Sequence, residues 1–100
     1  MIDARRIDEL REEVGCDDLA EVVGLFCEEV EEVLATLDRS ATVEQLHFLK
    51  GSALNIGLSQ LSAICLAEED RLRDDPQSRP KIEDIRAAYF KARPALLALL

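Results

Sequence analysis

Leu46-His47-Phe48-Leu49-Lys50-Gly51-Ser52-Ala53-Leu54-Asn55-Ile56-Gly57 is the stretch whose reading decides the fold. It holds the only histidine among the 100 residues. Wound as a helix, at about 100° per residue, it sorts into two sides. Leu46, Leu49, Ala53 and Ile56 fall in one sector and form the core face. His47 lies nearly opposite and is expected to point to water. Lys50 and Gly51, at i+3 and i+4, share its face. Val43, one turn back, and Leu54, two turns on, stand within about 40° of it. Glycine in a helix interior costs roughly 1 kcal/mol relative to alanine, so Gly51 needs a reason. Either it opens space beside the imidazole for a partner or a bulky group, or it lets two helices pack closely.

Outward from this stretch the chain keeps a helical rhythm. Residues 2–14 read as a short helix, with Ile7, Leu10 and Val14 at helical spacing and Gly15 as its end. Asp17 or Asp18 is expected to cap the next helix, which runs to about Leu37. Its stripe is Leu19, Val22, Val23, Phe26, Val30, Val33, Leu34 and Leu37, and Gly24 within it suggests close packing. Glu21, Glu28, Glu31 and Glu32 occupy the other side and read as a solvated face. After a short connection at 38–41, Thr42 and Gln45 have the spacing of a capping box that opens the histidine helix.

Gly57 breaks or bends the chain. The pattern resumes from Leu58 to about Arg73 through Leu61, Ile64, Cys65, Glu68 and Leu72. Residues 74–78 form the clearest loop. Ser78 is expected to cap the last helix, with Pro80 in its first turn. Ile82, Ile85, Tyr89, Ala92, Leu96 and Leu99 supply that helix's stripe, and Pro94 should kink it or fray its final turn. Short connections favour antiparallel neighbours. The expected fold is all-α: an up-down-up-down four-helix bundle with a short additional N-terminal helix across one end, as a single domain over residues 1–100.

Composition narrows the function. Aliphatic residues are plentiful, and only one tyrosine, three phenylalanines and no tryptophan occur, which suits a helical bundle better than a sheet. A formal net charge of −9 disfavours nucleic acid and anionic membrane surfaces, which need clustered Lys and Arg. The same charge favours a soluble monomer. The longest apolar run is far short of a membrane span, and the first residues lack the apolar core of a secretory signal. A cytoplasmic location is expected. Cys16, Cys27 and Cys65 are neither paired nor closely spaced, so a disulfide framework or zinc site is not expected.

The run His47-Phe48-Leu49-Lys50-Gly51-Ser52-Ala53, with Gly57 closing it, resembles the signature of histidine-containing phosphotransfer (HPt) domains. Those are helical modules that carry a phosphoryl group on one exposed histidine. The pattern His-x-Leu-Lys-Gly-(Ser/Ala)-(Ser/Ala), then Gly ten residues after the His, is matched at every defined position. The resemblance covers most of the chain from about Asp17 onward and implies the same bundle. It implies that His47 accepts the phosphoryl group through Nε2. Glu69 falls where the family has Glu or Gln, in a position to hold the other ring nitrogen, although Glu68 and Asp70 adjoin it and all three can equally be solvated charges.

Unperturbed imidazole, with a pKa of about 6.5, is a competent nucleophile near neutrality. Phosphoryl transfer asks mainly for positioning and for charge stabilisation on the equatorial oxygens, which Lys50 can supply. The chain has no glycine-rich phosphate loop, and Lys50-Gly51-Ser52 is not a Walker run. It is therefore expected to be a carrier and not an enzyme, with no cofactor or metal of its own. In the resembled family the partners are receiver domains of response regulators or hybrid histidine kinases, and they supply the Mg²⁺. Val43, Leu54 and Ile7 are expected to form the apolar docking patch.

Three other readings remain open. Glu44-Gln45-Leu46-His47 spells the Glu-x-x-His of di-iron bundles, but those need two such motifs directed inward. A helical adaptor could use the same patch with His47 incidental. A chemotaxis-type histidine domain would be phosphorylated directly by a kinase; such domains are normally fused to the kinase, so a stand-alone relay protein is preferred.

Overall fold

The computed structural model describes residues 2–38 and 40–100; Met1 and Arg39, the latter within the expected connection, lie outside the described residues. Five helices follow one another: α1 (Ala4–Val14), α2 (Cys16–Thr36), α3 (Val43–Asn55), α4 (Ser59–Asp74) and α5 (Ile82–Leu97). Among the described residues there is no strand, only an isolated antiparallel bridge between Ile2 and Leu58. The fold is all-α.

Local chemistry explains the boundaries. The Asp3 carboxylate accepts from the Arg5 N–H at 3.1 Å and caps α1. Gly15, at φ +86°, ends α1 and passes directly into α2. That abrupt joint corrects the expected cap. Asp17 and Asp18 fall inside the first turn of α2, where their charge suits the helix dipole but neither makes a capping bond. The capping box of α3 is present: the Gln45 N–H donates to Thr42 Oγ1 at 3.1 Å, and the Thr42 N–H donates to Gln45 Oε1 at 2.9 Å.

A second correction concerns α5. Ser78 and Pro80 lie before the helix, whose N-cap is Lys81. The Ser78 hydroxyl donates to the Arg71 carbonyl instead. The anion that meets the start of α5 comes from α4: Glu68 is buried, and its Oε1 accepts from the Lys81 N–H at 2.8 Å. At the other end, α5 passes through Pro94 for one more turn. The Leu99 and Leu100 N–H groups then reach back only three residues, so the final turn winds down and Leu99 is exposed rather than part of the stripe.

The core follows the apolar pattern closely, except on α2, where Cys27 is buried while Val22 stays outside the core and Phe26 and Val33 are only partly buried. Leu46, Leu49, Ala53 and Ile56 are wholly buried, against Leu19, Val23, Cys27, Val30 and Leu34 of α2 and Leu61 and Cys65 of α4. Ile85, Tyr89 and Leu96 close it from α5. Polar contacts then tie the ends. Arg86 of α5 donates to the carbonyls of Leu34 and Leu37, supplying the cation that the last turn of α2 lacks. The Tyr89 hydroxyl donates to Glu31 Oε2 at 2.6 Å; burial raises its pKa above the ordinary tyrosine value, and the Glu31 carboxylate adds to the effect.

The two informative glycines differ. Gly57, at φ +76°, makes the α3–α4 turn, and a Cβ there would stand 2.7 Å from the Asp3 carbonyl oxygen. Gly24, read from sequence as a close-packing position, has nothing within 4 Å of the place a Cβ would occupy. Gly57→Ala should therefore destabilise the protein by about 2 kcal/mol or more, whereas Gly24→Ala should stabilise it by about 0.5–1 kcal/mol. Urea unfolding of the two variants measures both signs.

Cys16 is exposed, while Cys27 and Cys65 are buried. Desolvation, helped by the charges of Glu68 and Glu69, pushes the Cys65 thiol up to about 12. At mildly alkaline pH, a disulfide-exchange reagent should titrate Cys16 in the native protein and the other two thiols only after unfolding.

Candidate functional site

His47 stands in the second turn of α3, on the side opposite the buried sector. Its side chain is 63% exposed, as the helical projection requires. Behind it lies Glu69 of α4, only 3% exposed. Glu69 Oε1 is 3.2 Å from His47 Nδ1 and 3.6 Å from Lys50 Nζ, and its Oε2 is 3.2 Å from Arg73 Nη2. Burying a carboxylate is expensive unless it is paired and hydrogen-bonded, and here two cations and an imidazole surround one. With Nδ1–H donating to Glu69, the lone pair of the neutral ring is on Nε2, which faces away from the carboxylate.

The turn at Gly57 makes this contact possible, because it returns α4 along α3. Ser62 Oγ donates to the Lys50 carbonyl at 3.3 Å one helical stretch before Glu69, which keeps the two helices in register. Gly51 has nothing within 4 Å of where its Cβ would be, so of its two sequence readings the structure supports open space and not helix contact. An open depression of about 350 Å³ adjoins the imidazole, lined by Val43, Glu44, His47, Phe48 and Arg73.

The sequence-derived residues separate clearly. Lys50, Gly51 and Glu69 lie around His47, and Leu54 is 61% exposed on the same helix. Val43 is half-buried and lines the depression. Ile7 must be withdrawn from the docking patch: at 1% exposure it is a core residue, held inward by the packing of α1 on the bundle. Of the three adjoining acids, Asp70 is exposed but Glu68 and Glu69 are buried.

Three nearby residues escaped the sequence reading. Arg73 is four residues beyond Glu69, a helical pairing distance that would have found it once Glu69 was singled out. Phe48 is an exposed aromatic next to the histidine and outside the core sector. Leu66, exposed on α4, lies one turn from both Ser62 and Glu69, the residues that meet α3. The imidazole points outward, whereas the Glu-x-x-His motif of a di-iron bundle directs its ligands into the core.

A family comparison bears directly on this geometry: the sequence model of the Hpt domain matches residues 21–98. The chain belongs to the Hpt domain family. Hpt domains are phosphocarrier modules of two-component signalling, without kinase activity, and they typically interact with receiver domains. The matched span includes α3, α4 and α5 entire and most of α2, leaving α1 outside it. Comparison with curated proteins gives no match, and neither does comparison with solved structures. Among the described residues no helix is long and apolar enough to cross a membrane.

The Glu69 contact has a spectroscopic consequence. Neutral His47 should be the Nδ1–H tautomer, and Glu69→Leu should shift it towards Nε2–H, the form preferred by free imidazole. Two-dimensional ¹⁵N–¹H correlation of the ring nitrogens reads the change directly.

Proposed function

We propose that this Hpt domain works in a multistep phosphorelay, taking a phosphoryl group on Nε2 of His47 from an aspartyl-phosphate receiver domain and passing it to another. The observation that carries this reading is the outward imidazole whose inner nitrogen is 3.2 Å from a buried carboxylate. The carboxylate fixes the ring so that one nucleophilic nitrogen is presented to solvent, and it favours the positive charge that appears on the ring as the new bond forms. Lys50 and Arg73 balance the charge of the buried carboxylate that holds the ring. Gly51 leaves the approach unobstructed.

The receiver domain brings the Mg²⁺ and the acidic pocket; this chain needs no cofactor of its own. Its part is to hold the reacting nitrogen still on a packed helix, which converts docking into near-attack geometry. Val43 and Leu54 form the apolar contact surface. Residues 1–100 act as one domain, a cytoplasmic monomer whose four long helices run up-down-up-down with α1 across one end. Supporting that arrangement, Arg86 reaches the C-terminal end of α2 from the start of α5, and Arg11 of α1 donates to the Leu99 carbonyl beyond the end of α5.

The test is phosphotransfer profiling against a set of phosphorylated receiver domains. Wild type should acquire an acid-labile, alkali-stable label from at least one of them, and His47→Gln none. Leu54→Asp should slow transfer by about tenfold while leaving the helical circular dichroism and the unfolding midpoint unchanged. Binding to receivers without any label on wild type would favour a phosphorylation-independent adaptor.

A further inference from the structure

Lys50 is the residue that sequence logic assigns to the phosphoryl oxygens, yet it is not among the residues lining the open space beside the imidazole. Its side chain is 24% exposed, and its ammonium is directed at Glu69. The charged groups that do border the space are Arg73 and Glu44. Arg73 is 57% exposed and is joined to the imidazole through a single carboxylate: Nη2 meets Glu69 Oε2 at 3.2 Å while Oε1 meets His47 Nδ1 at 3.2 Å. A guanidinium has five N–H donors in a fixed fork. It can keep Nη2 on Glu69 and turn other donors to a neighbouring anion. Glu44 precedes His47 by three residues on α3, so the two share a face.

We propose that Arg73 and Glu44 form the two charged walls of the phosphoryl site and act in opposite directions on the lifetime of the phosphohistidine. This rests on His47 being the acceptor. A phosphoryl group carries close to two negative charges near neutrality. Its loss to water forms a P–O bond as the Nε2–P bond breaks; the bonding pair returns to Nε2, the ring is again the neutral Nδ1–H form, and both protons of the attacking water leave with inorganic phosphate. The transition state is loose, with charge moving off the phosphoryl oxygens towards the departing nitrogen. A guanidinium on those oxygens therefore stabilises the charged ground state more than the transition state and slows hydrolysis. A carboxylate across the depression repels the same charge and hastens it. Glu69 holds Arg73 in readiness, so the cation is in place before the phosphoryl group arrives.

The experiment loads the protein chemically, without a partner. Potassium phosphoramidate donates its phosphoryl group to Nε2 as its own P–N bond breaks and ammonia leaves; ³¹P NMR then follows decay after the donor is removed. Arg73→Gln should shorten the lifetime about fivefold, the size expected for an exposed charge-assisted hydrogen bond, and Arg73→Lys should recover part of it. Glu44→Gln should lengthen the lifetime about twofold. Arg93→Gln, a charge change on α5 away from the depression, should leave it unaltered. A structural fault could shorten the lifetime but would not lengthen it, so the Glu44 result separates the two causes. Wild-type decay in Arg73→Gln, or no lengthening in Glu44→Gln, overturns the proposal and leaves the carrier function standing. If wild-type protein takes no label at His47, the carrier function itself fails and the proposal fails with it.

Discussion

A single carboxylate, that of Glu69, links the histidine helix to the rest of the molecule's chemistry. It is almost completely withdrawn from solvent, yet it meets an exposed imidazole, a half-exposed arginine and a lysine. That combination requires α4 to lie close along α3 at a fixed register, since a carboxyl side chain spans only a few ångströms. The register comes from the turn at Gly57 and from the burial of Leu46, Leu49, Ala53 and Ile56 on one side of the same helix. Packing thus determines electrostatics here, and electrostatics determines which ring nitrogen is presented outward.

The neighbouring Glu68 shows how little separates a structural acid from one beside the reactive group. Adjacent residues on a helix are about 100° apart, so Glu68 turns towards α5 and Glu69 towards α3. Glu68 satisfies the Lys81 N–H and pairs with Arg71, fastening the α4–α5 loop. Both are buried, and both are satisfied. Their difference lies entirely in which helix each one faces.

That difference was legible only in part. Helical spacing put Glu68 in the α4 stripe and the family resemblance put Glu69 beside His47, but three consecutive acids at 68–70 carry no local mark that two of them are buried and one is not. What could be read was whatever depends on short-range order: the capping box at Thr42, the break at Gly57, the core sector of α3 and the outward histidine. What could not be read depends on partners distant in sequence. Asp17, Asp18 and Ser78 have the chemistry of helix caps, but Gly15 and Glu68 had already determined how those helices begin. Ile7 has the periodicity of either a core or a docking residue, and only the packing of α1 assigns it inward. Gly24 looked like a contact position because a glycine in a helix usually needs a reason; the space around it provides none.

The first residues of the chain lie over the α3–α4 turn: Ile2 bridges Leu58, the Asp3 N–H donates to the Gly57 carbonyl at 2.6 Å, and Arg6 Nε donates to the Asn55 carbonyl at 2.9 Å. Gly57 is ten residues past His47, about 15 Å along the helix axis. A fluorophore, tag or fused polypeptide joined ahead of Ile2 would therefore load the turn of the hairpin that holds the imidazole, about 15 Å along the helix from the ring itself.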